Sequence, residues 1–232
     1  MKTIGLIGGM SWESSKEYYR IINQRVHELL GGTHSAKSVM VSLDFAEIEA
    51  LQEVGDWEAA TQLLVQAAQQ VQSAGADFIL ICTNTMHKMA EAVSMEIQIP
   101  LLHIADATAK AIQDQDLHKI GLLGTRYTME EDFYRGRLEN LHGLEVIIPK
   151  EKSRQVVHQV IFEELVQGVI KPESKADYIQ IIQELVNQGA QGIILGCTEI
   201  GLLVQSDDAP VPIFDTTQIH AQAAVAEALR DE

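Results

Sequence analysis

Short, almost unbroken apolar runs alternate along this chain with longer amphipathic stretches. The runs are TIGLIGG, SVMVSLDF, FILICT, IPLLHI, KIGLLGT, EVIIP, GIILGCT and VPIFD. Between them lie SSKEYYRIINQRVHELL, WEAATQLLVQAAQQVQSAG, RQVVHQVIFEELVQG and ADYIQIIQELVNQGA, in which apolar residues recur at helical spacing. Strands that are apolar on both faces and separated by helices read as parallel strands covered on each side, an α/β design. The charge run MEEDFYRGRLEN reads as a solvated helix surface.

The pattern is written twice. KTIGLIGG at the start matches KIGLLGT at 119, GADFILICTNTM at 75 matches GAQGIILGCTEI at 189, and IPLLHIADAT at 99 matches VPIFDTTQIH at 211. Each pair is displaced by about half the chain. Two pseudo-symmetric α/β halves are therefore expected, each a mainly parallel sheet flanked by helices, over 1–104 and 105–213. A last helix over 214–232 is expected to pack back on the first half. Ligands of such folds bind beyond the carboxyl ends of the strands, which predicts an active site in the cleft between the halves.

Composition narrows the partners. Seventeen Lys and Arg face thirty-three Asp and Glu, a formal net charge of -16 that repels nucleic acid and anionic membranes. The opening MKTIGLIGGMSWESS lacks the apolar h-region of an export signal, and no window approaches the length of a membrane span. Two cysteines without metal-type spacing read as free thiols in a reducing cytoplasm. The histidines show no ligand spacing, so no metal is expected.

Candidate chemistry concentrates on LICTNTMHK and LGCTEIG, the surroundings of Cys82 and Cys197. Aligned without a gap, the repeat sets Thr83 on Cys197, Asn84 on Thr198 and Thr85 on Glu199; a one-residue gap sets Cys82 on Cys197 instead. The ungapped version is favoured, because a one-residue slip inside a buried strand turns every later side chain to the opposite face. Cys82, mid-strand, then reads as a small buried hydrophobe. Cys197 lies between a strand end and a helix start, a setting that lowers a thiol pKa. GLIGGM is a glycine-rich turn without dinucleotide spacing; its amides are placed to receive a carboxylate, with Met10, Ser11 and Trp12 shaping the wall.

Thr83-Asn84-Thr85-Met86-His87 resembles the Cys-Asn-Thr-x-His motif of the aspartate/glutamate racemase family, and Gly196-Cys197-Thr198-Glu199 resembles its Gly-Cys-Thr-Glu motif. The likeness runs over the whole chain, including the Gly8-Gly9-Met10 and Leu123-Gly124-Thr125 loops. The chain departs from it at Thr83, where the family carries its first cysteine, and in this it is similar to a subgroup of racemases of aspartate and glutamate. The resemblance implies racemisation of an acidic amino acid with no cofactor and no pyridoxal-type lysine, in a cytoplasmic homodimer. It implies Cys197 and Thr83 as an unequal acid/base pair on opposite faces of the α-carbon. Asn84, Thr85 and Thr198 would hold the α-carboxylate and amino group, Thr125 and Thr128 would add carboxylate donors, and Glu199 and His87 would adjust the acid/base pair. Lys88, Arg126 and Lys171 are candidate partners for the side-chain carboxylate. Two other readings stand beside this one. A single-cysteine decarboxylase or isomerase of a small diacid would use the lone thiol only to protonate a carbanion. A binding protein would have kept the site and lost catalysis when the first cysteine became threonine.

Overall fold

The computed structural model describes residues 1–230, so the last two positions of the helix expected over 214–232 lie outside the described residues. The chain divides into two compact units: Met1–Ile104 together with the segment from His220 onward, and Ala105–Ile219.

The first unit runs β1 (Ile4–Gly8), α1 (Trp12–Leu30), β2 (Ser38–Ser42), α2 (Phe45–Val54), α3 (Trp57–Ser73), β3 (Phe78–Ile81), a 3-10 turn over Thr85–Met89 and α4 (Ala90–Met95). Its three strands are parallel in the order β2-β1-β3, with Ile7 level with Ile81. Strands β1 and β3 are wholly buried. Alternate residues fill two separate cores, as a strand period of two requires. Ile7, Ile79 and Ile81 meet Leu64, Ala68 and Val71 of α3. Ile4, Leu6, Phe78, Leu80 and Cys82 meet Tyr18, Ile22 and Val26 of α1, together with Ala221, Ala224 and Val225 near the carboxyl end of the chain.

The chain continues with α5 (Ile104–Gln113), β4 (Lys119–Gly124), α6 (Arg126–Glu130), α7 (Arg135–His142), β5 (Glu145–Ile147), α8 (Glu151–Glu163), α9 (Pro172–Asn187), β6 (Gly192–Gly196), α10 (Ile200–Leu203), β7 (Ile213–Asp215) and α11 (Thr216–Leu229), which belong to the second unit except for Ile104 and the part of α11 from His220 onward. The strands are parallel in the order β5-β4-β6-β7. The fold is thus α/β, with two parallel sheets flanked by helices.

Two expectations are corrected. IPLLHI forms no strand but a single bridge, Ile79 to Leu101, with one bond from Ile79 N–H to the Pro100 carbonyl and one from Leu102 N–H to the Ile79 carbonyl, both 2.9 Å. Pro100 has no N–H to give, and α5 begins at Ile104, so only two residues are left to pair. The run MEEDFYRGRLEN is not one solvated helix: α6 and α7 are separate, and Tyr134 between them is fully buried.

Candidate active site

In the second unit β4 and β6 end side by side, with Gly124 level with Gly196. A Cβ on Gly124 would stand 2.8 Å from the Gly196 carbonyl oxygen, and one on Gly196 would stand 2.9 Å from that of Leu123, so a side chain at either position would push the strand ends apart. Thr125 caps α6, its hydroxyl accepting the Thr128 N–H at 3.2 Å and sharing a hydrogen with the Thr128 hydroxyl at 3.1 Å. Thr128 is completely buried, with its side-chain carbons against both glycines. Thr128 thus lies inside the loop, with its hydroxyl next to that of Thr125.

Cys197 follows Gly196 and donates its S–H to Glu199 Oε2 at 3.0 Å, while the Thr198 hydroxyl donates to the same oxygen at 2.8 Å. The thiol is held well above the ordinary cysteine range, first by burial and then by the Glu199 carboxylate, whose charge and hydrogen bond both favour S–H. This reverses the lowered pKa expected from the strand-to-helix setting. Helix α10 has four residues, little dipole to offer a thiolate, and the nearest ionisable group is an anion. The backbone here is braced from α11: the Thr216 hydroxyl donates to the Leu195 carbonyl at 2.8 Å, and that of Thr217 donates to the Thr198 carbonyl at 3.4 Å. Tyr178 of α9 is close enough for the charge of a Cys197 thiolate to oppose ionisation of its phenol, and its hydroxyl donates to the Val157 carbonyl at 2.9 Å. No local motif marks Tyr178.

The first unit has a matching strand end. Ile81 pairs with Ile7 one step before Gly8, and Leu195 pairs with Leu123 one step before Gly124. By position within its own sheet, Cys82 therefore corresponds to Gly196 and Thr83 to Cys197, as the ungapped alignment has it. The Cys82 side chain lies in the core with Tyr18 and Ile22, where burial pushes its thiol far up. Thr83 is half-buried. Beside this strand end runs the turn from β1 to α1. There the Ser11 hydroxyl caps the Ser14 N–H at 3.4 Å, Ser15 Oγ accepts the Gly9 N–H at 2.8 Å, and Ser14 Oγ donates to the Cys82 carbonyl at 3.2 Å. Gly9 has φ +90 and its missing Cβ would overlap the Leu43 backbone, so only glycine fits. Met10, Ser11, Asn84, Thr85 and His87 are all buried around this edge, whereas Trp12 is largely exposed with Lys16 over its ring. The Ser14 bond that ties α1 to β3 had no sequence signal beyond a serine near a helix start.

The three candidate cations have other engagements. The Lys88 ammonium lies 3.9 Å from the Trp57 ring centroid, the Arg126 guanidinium 5.5 Å from that of Tyr127, and Lys171 pairs with Glu164 at 3.0 Å. Among the described residues no group of three or more His, Cys, Asp or Glu is arranged to hold a metal ion. No helix among them is long and apolar enough to cross a membrane.

Residues 7–224 match the family described as Asp/Glu/Hydantoin racemase. The chain is 27% identical over 175 residues to the broad specificity amino-acid racemase RacX of Bacillus subtilis, covering 74% of this chain and 73% of that protein. It is 57% identical to a crystal structure from Yersinia pestis described as a candidate Asp/Glu racemase, with a TM-score of 0.93 over 99% of this chain and all of that one. An aspartate racemase homologue from Pyrococcus horikoshii is 34% identical, with a TM-score of 0.86 over 99% of this chain and 100% of that chain. The chain belongs to the Asp/Glu/hydantoin racemase family, a family of isomerases.

Proposed function

We propose that this protein racemises an acidic amino acid, aspartate or glutamate, without a cofactor, using Cys197 and Thr83 as an unequal acid/base pair. The observation that carries the reading is the Cys197 S–H bonded at 3.0 Å to the Glu199 carboxylate, at a strand position whose register counterpart in the first unit is a hydroxyl. Inverting an α-carbon needs a base on one face and an acid on the other. Glu199 takes the thiol proton as Cys197 removes the α-proton, and returns it to solvent before the next turnover, so that sulfur becomes basic only when the substrate is in place. The Thr83 hydroxyl delivers a proton to the opposite face and is reprotonated from water. Met10, Ser11, Asn84, Thr85, Thr125 and Thr198 hold the α-carboxylate and ammonium. The protein works in the cytoplasm as a homodimer, its two α/β halves dividing near residue 104.

NMR of L-aspartate and L-glutamate incubated with the protein in D2O, followed by chiral analysis, tests the reading. Deuterium entering the α-position together with D-product supports it, provided Cys82→Ala retains the activity and Cys197→Ala and Thr83→Ala lose it. No exchange with either amino acid would sink it.

A further inference from the structure

The residues after β3 wind as a 3-10 turn, so the His87 backbone N–H bonds to the Asn84 carbonyl at 3.0 Å rather than to Thr83. The Thr83 carbonyl is instead met by the His87 ring, with Nδ1 2.7 Å from its oxygen. A carbonyl only accepts, which places the ring proton on Nδ1. The other ring nitrogen then carries a lone pair, and it accepts the Ile104 N–H at 3.2 Å. That amide opens α5, where first-turn N–H groups have no partner within the helix. One imidazole thus satisfies two backbone groups, at Thr83 and at Ile104, from segments twenty-one residues apart, and Ile104 is the last residue of the first unit before the chain enters the second. The ring is buried and packs on those of His103 and His220, at centroid distances of 4.5 and 5.8 Å.

We infer that His87 is a positioning residue for Thr83: a neutral imidazole, protonated at Nδ1, that sets the Thr83 backbone against the start of α5 and takes no part in proton transfer. The inference rests on the reading of Thr83 as an acid/base group. Protonating Nε2 would break the Ile104 bond, and removing the Nδ1 proton would break the Thr83 bond, so the ring has no proton to relay without losing its own anchorage.

Side-chain amides separate the two bonds. The amide N–H of Asn lies where Nδ1–H lies in histidine, and that of Gln lies where Nε2 lies. His87→Asn should stay within about threefold of the parent kcat, whereas His87→Gln and His87→Ala should lose about tenfold to a hundredfold in kcat with KM little changed, the usual cost of a misplaced reacting group. All three should keep the parent pH profile apart from scale. Nitrogen-15 NMR of the labelled full chain reads the ring directly: a protonated Nδ1 and a bare Nε2 are expected, unchanged in Thr83→Ala. Equal losses in His87→Asn and His87→Ala, a shifted limb of the pH profile, or a proton on Nε2 would each overturn the inference. Full turnover in Thr83→Ala would instead remove the proposed role of Thr83 while leaving the ring assignment standing.

Discussion

The ends of β3 and β6 follow one plan and differ in where the cysteine falls. At β6 the cysteine comes after the residue level with Gly124, and its thiol reaches Glu199. At β3 it comes one residue earlier, and its thiol joins Tyr18, Ile22 and Ala221 in the core. A one-residue offset in a strand covered on both faces is enough to turn a thiol from the proton acceptor at the strand edge to the packing behind it. Position in the register, not residue type, separates the two cysteines. The next residues differ as well. The group at the end of β6 donates its S–H to a carboxylate, whereas the Thr83 backbone carbonyl accepts from an imidazole.

The comparison breaks most decisively at Cys197. Replacing it with Ala should lower α-proton exchange by roughly a thousandfold or more, since both the base and the route to Glu199 are lost. Retained exchange, followed by proton NMR in D2O, would transfer the chemistry to another residue. A difference of stability between the units comes next. Burial lowers the His220 pKa from 6.5 to about 4, with the Tyr18 hydroxyl 2.8 Å from Nδ1 and the Leu102 carbonyl 2.8 Å from Nε2. The unfolded chain therefore binds this proton more readily than the folded one. The stabilisation is complete above pH 6.5 and falls away by about 3 kcal/mol as the pH drops to 4. Urea denaturation between pH 7.5 and 4.5 should show that slope, flattened in His220→Gln, whose amide still reaches the Leu102 carbonyl. An identical slope in the variant would assign the acid sensitivity elsewhere.

Glu199→Gln carries a smaller effect. Removing the negative charge takes away the Coulombic influence of Glu199, which raises the Cys197 thiol, so the pH at which an alkylating reagent is half-maximally fast should move down. Turnover should fall by about tenfold to a hundredfold, because Gln does not accept the thiol proton. A midpoint that moved upward would show that Glu199 helps the thiolate rather than opposing it.

Where a feature depends on neighbours in the chain, the pattern of the sequence was enough to find it. The parallel strands, helices α1, α3, α8 and α9, and the correspondence of Thr83 with Cys197 all follow from local periodicity and repetition. The direction of the Cys197 shift did not, because a strand-to-helix junction usually favours a thiolate, and only the side-chain geometry shows Glu199 turned back onto the sulfur. IPLLHI has the composition of a strand but meets a helix start three residues after its single bridge. Tyr18 and His220 are separated by 202 positions, and His220 and Leu102 by 118, so no window along the chain could join them. Thr125 and Thr128 are indistinguishable as letters in GTRYTMEEDFY; the fold buries one as a spacer between glycines and leaves the other as the cap.

The gentlest test places the same small change at both thiols. Serine at 82 would carry a hydroxyl into a core whose neighbours are aromatic and aliphatic side chains, at a cost of about 1–3 kcal/mol for an unpaired polar group. Alanine there should cost about 1 kcal/mol, chiefly lost contact, so serine should be the worse substitute. At 197 the order should reverse, because Glu199 Oε2 already lies 3.0 Å from the sulfur and would accept the serine hydroxyl, whereas alanine removes one of the two donors described for that oxygen. Denaturation midpoints of the four variants give the comparison directly. The same order at both positions would mean that the two side chains share one kind of environment, and the distinction drawn from the strand register would fail.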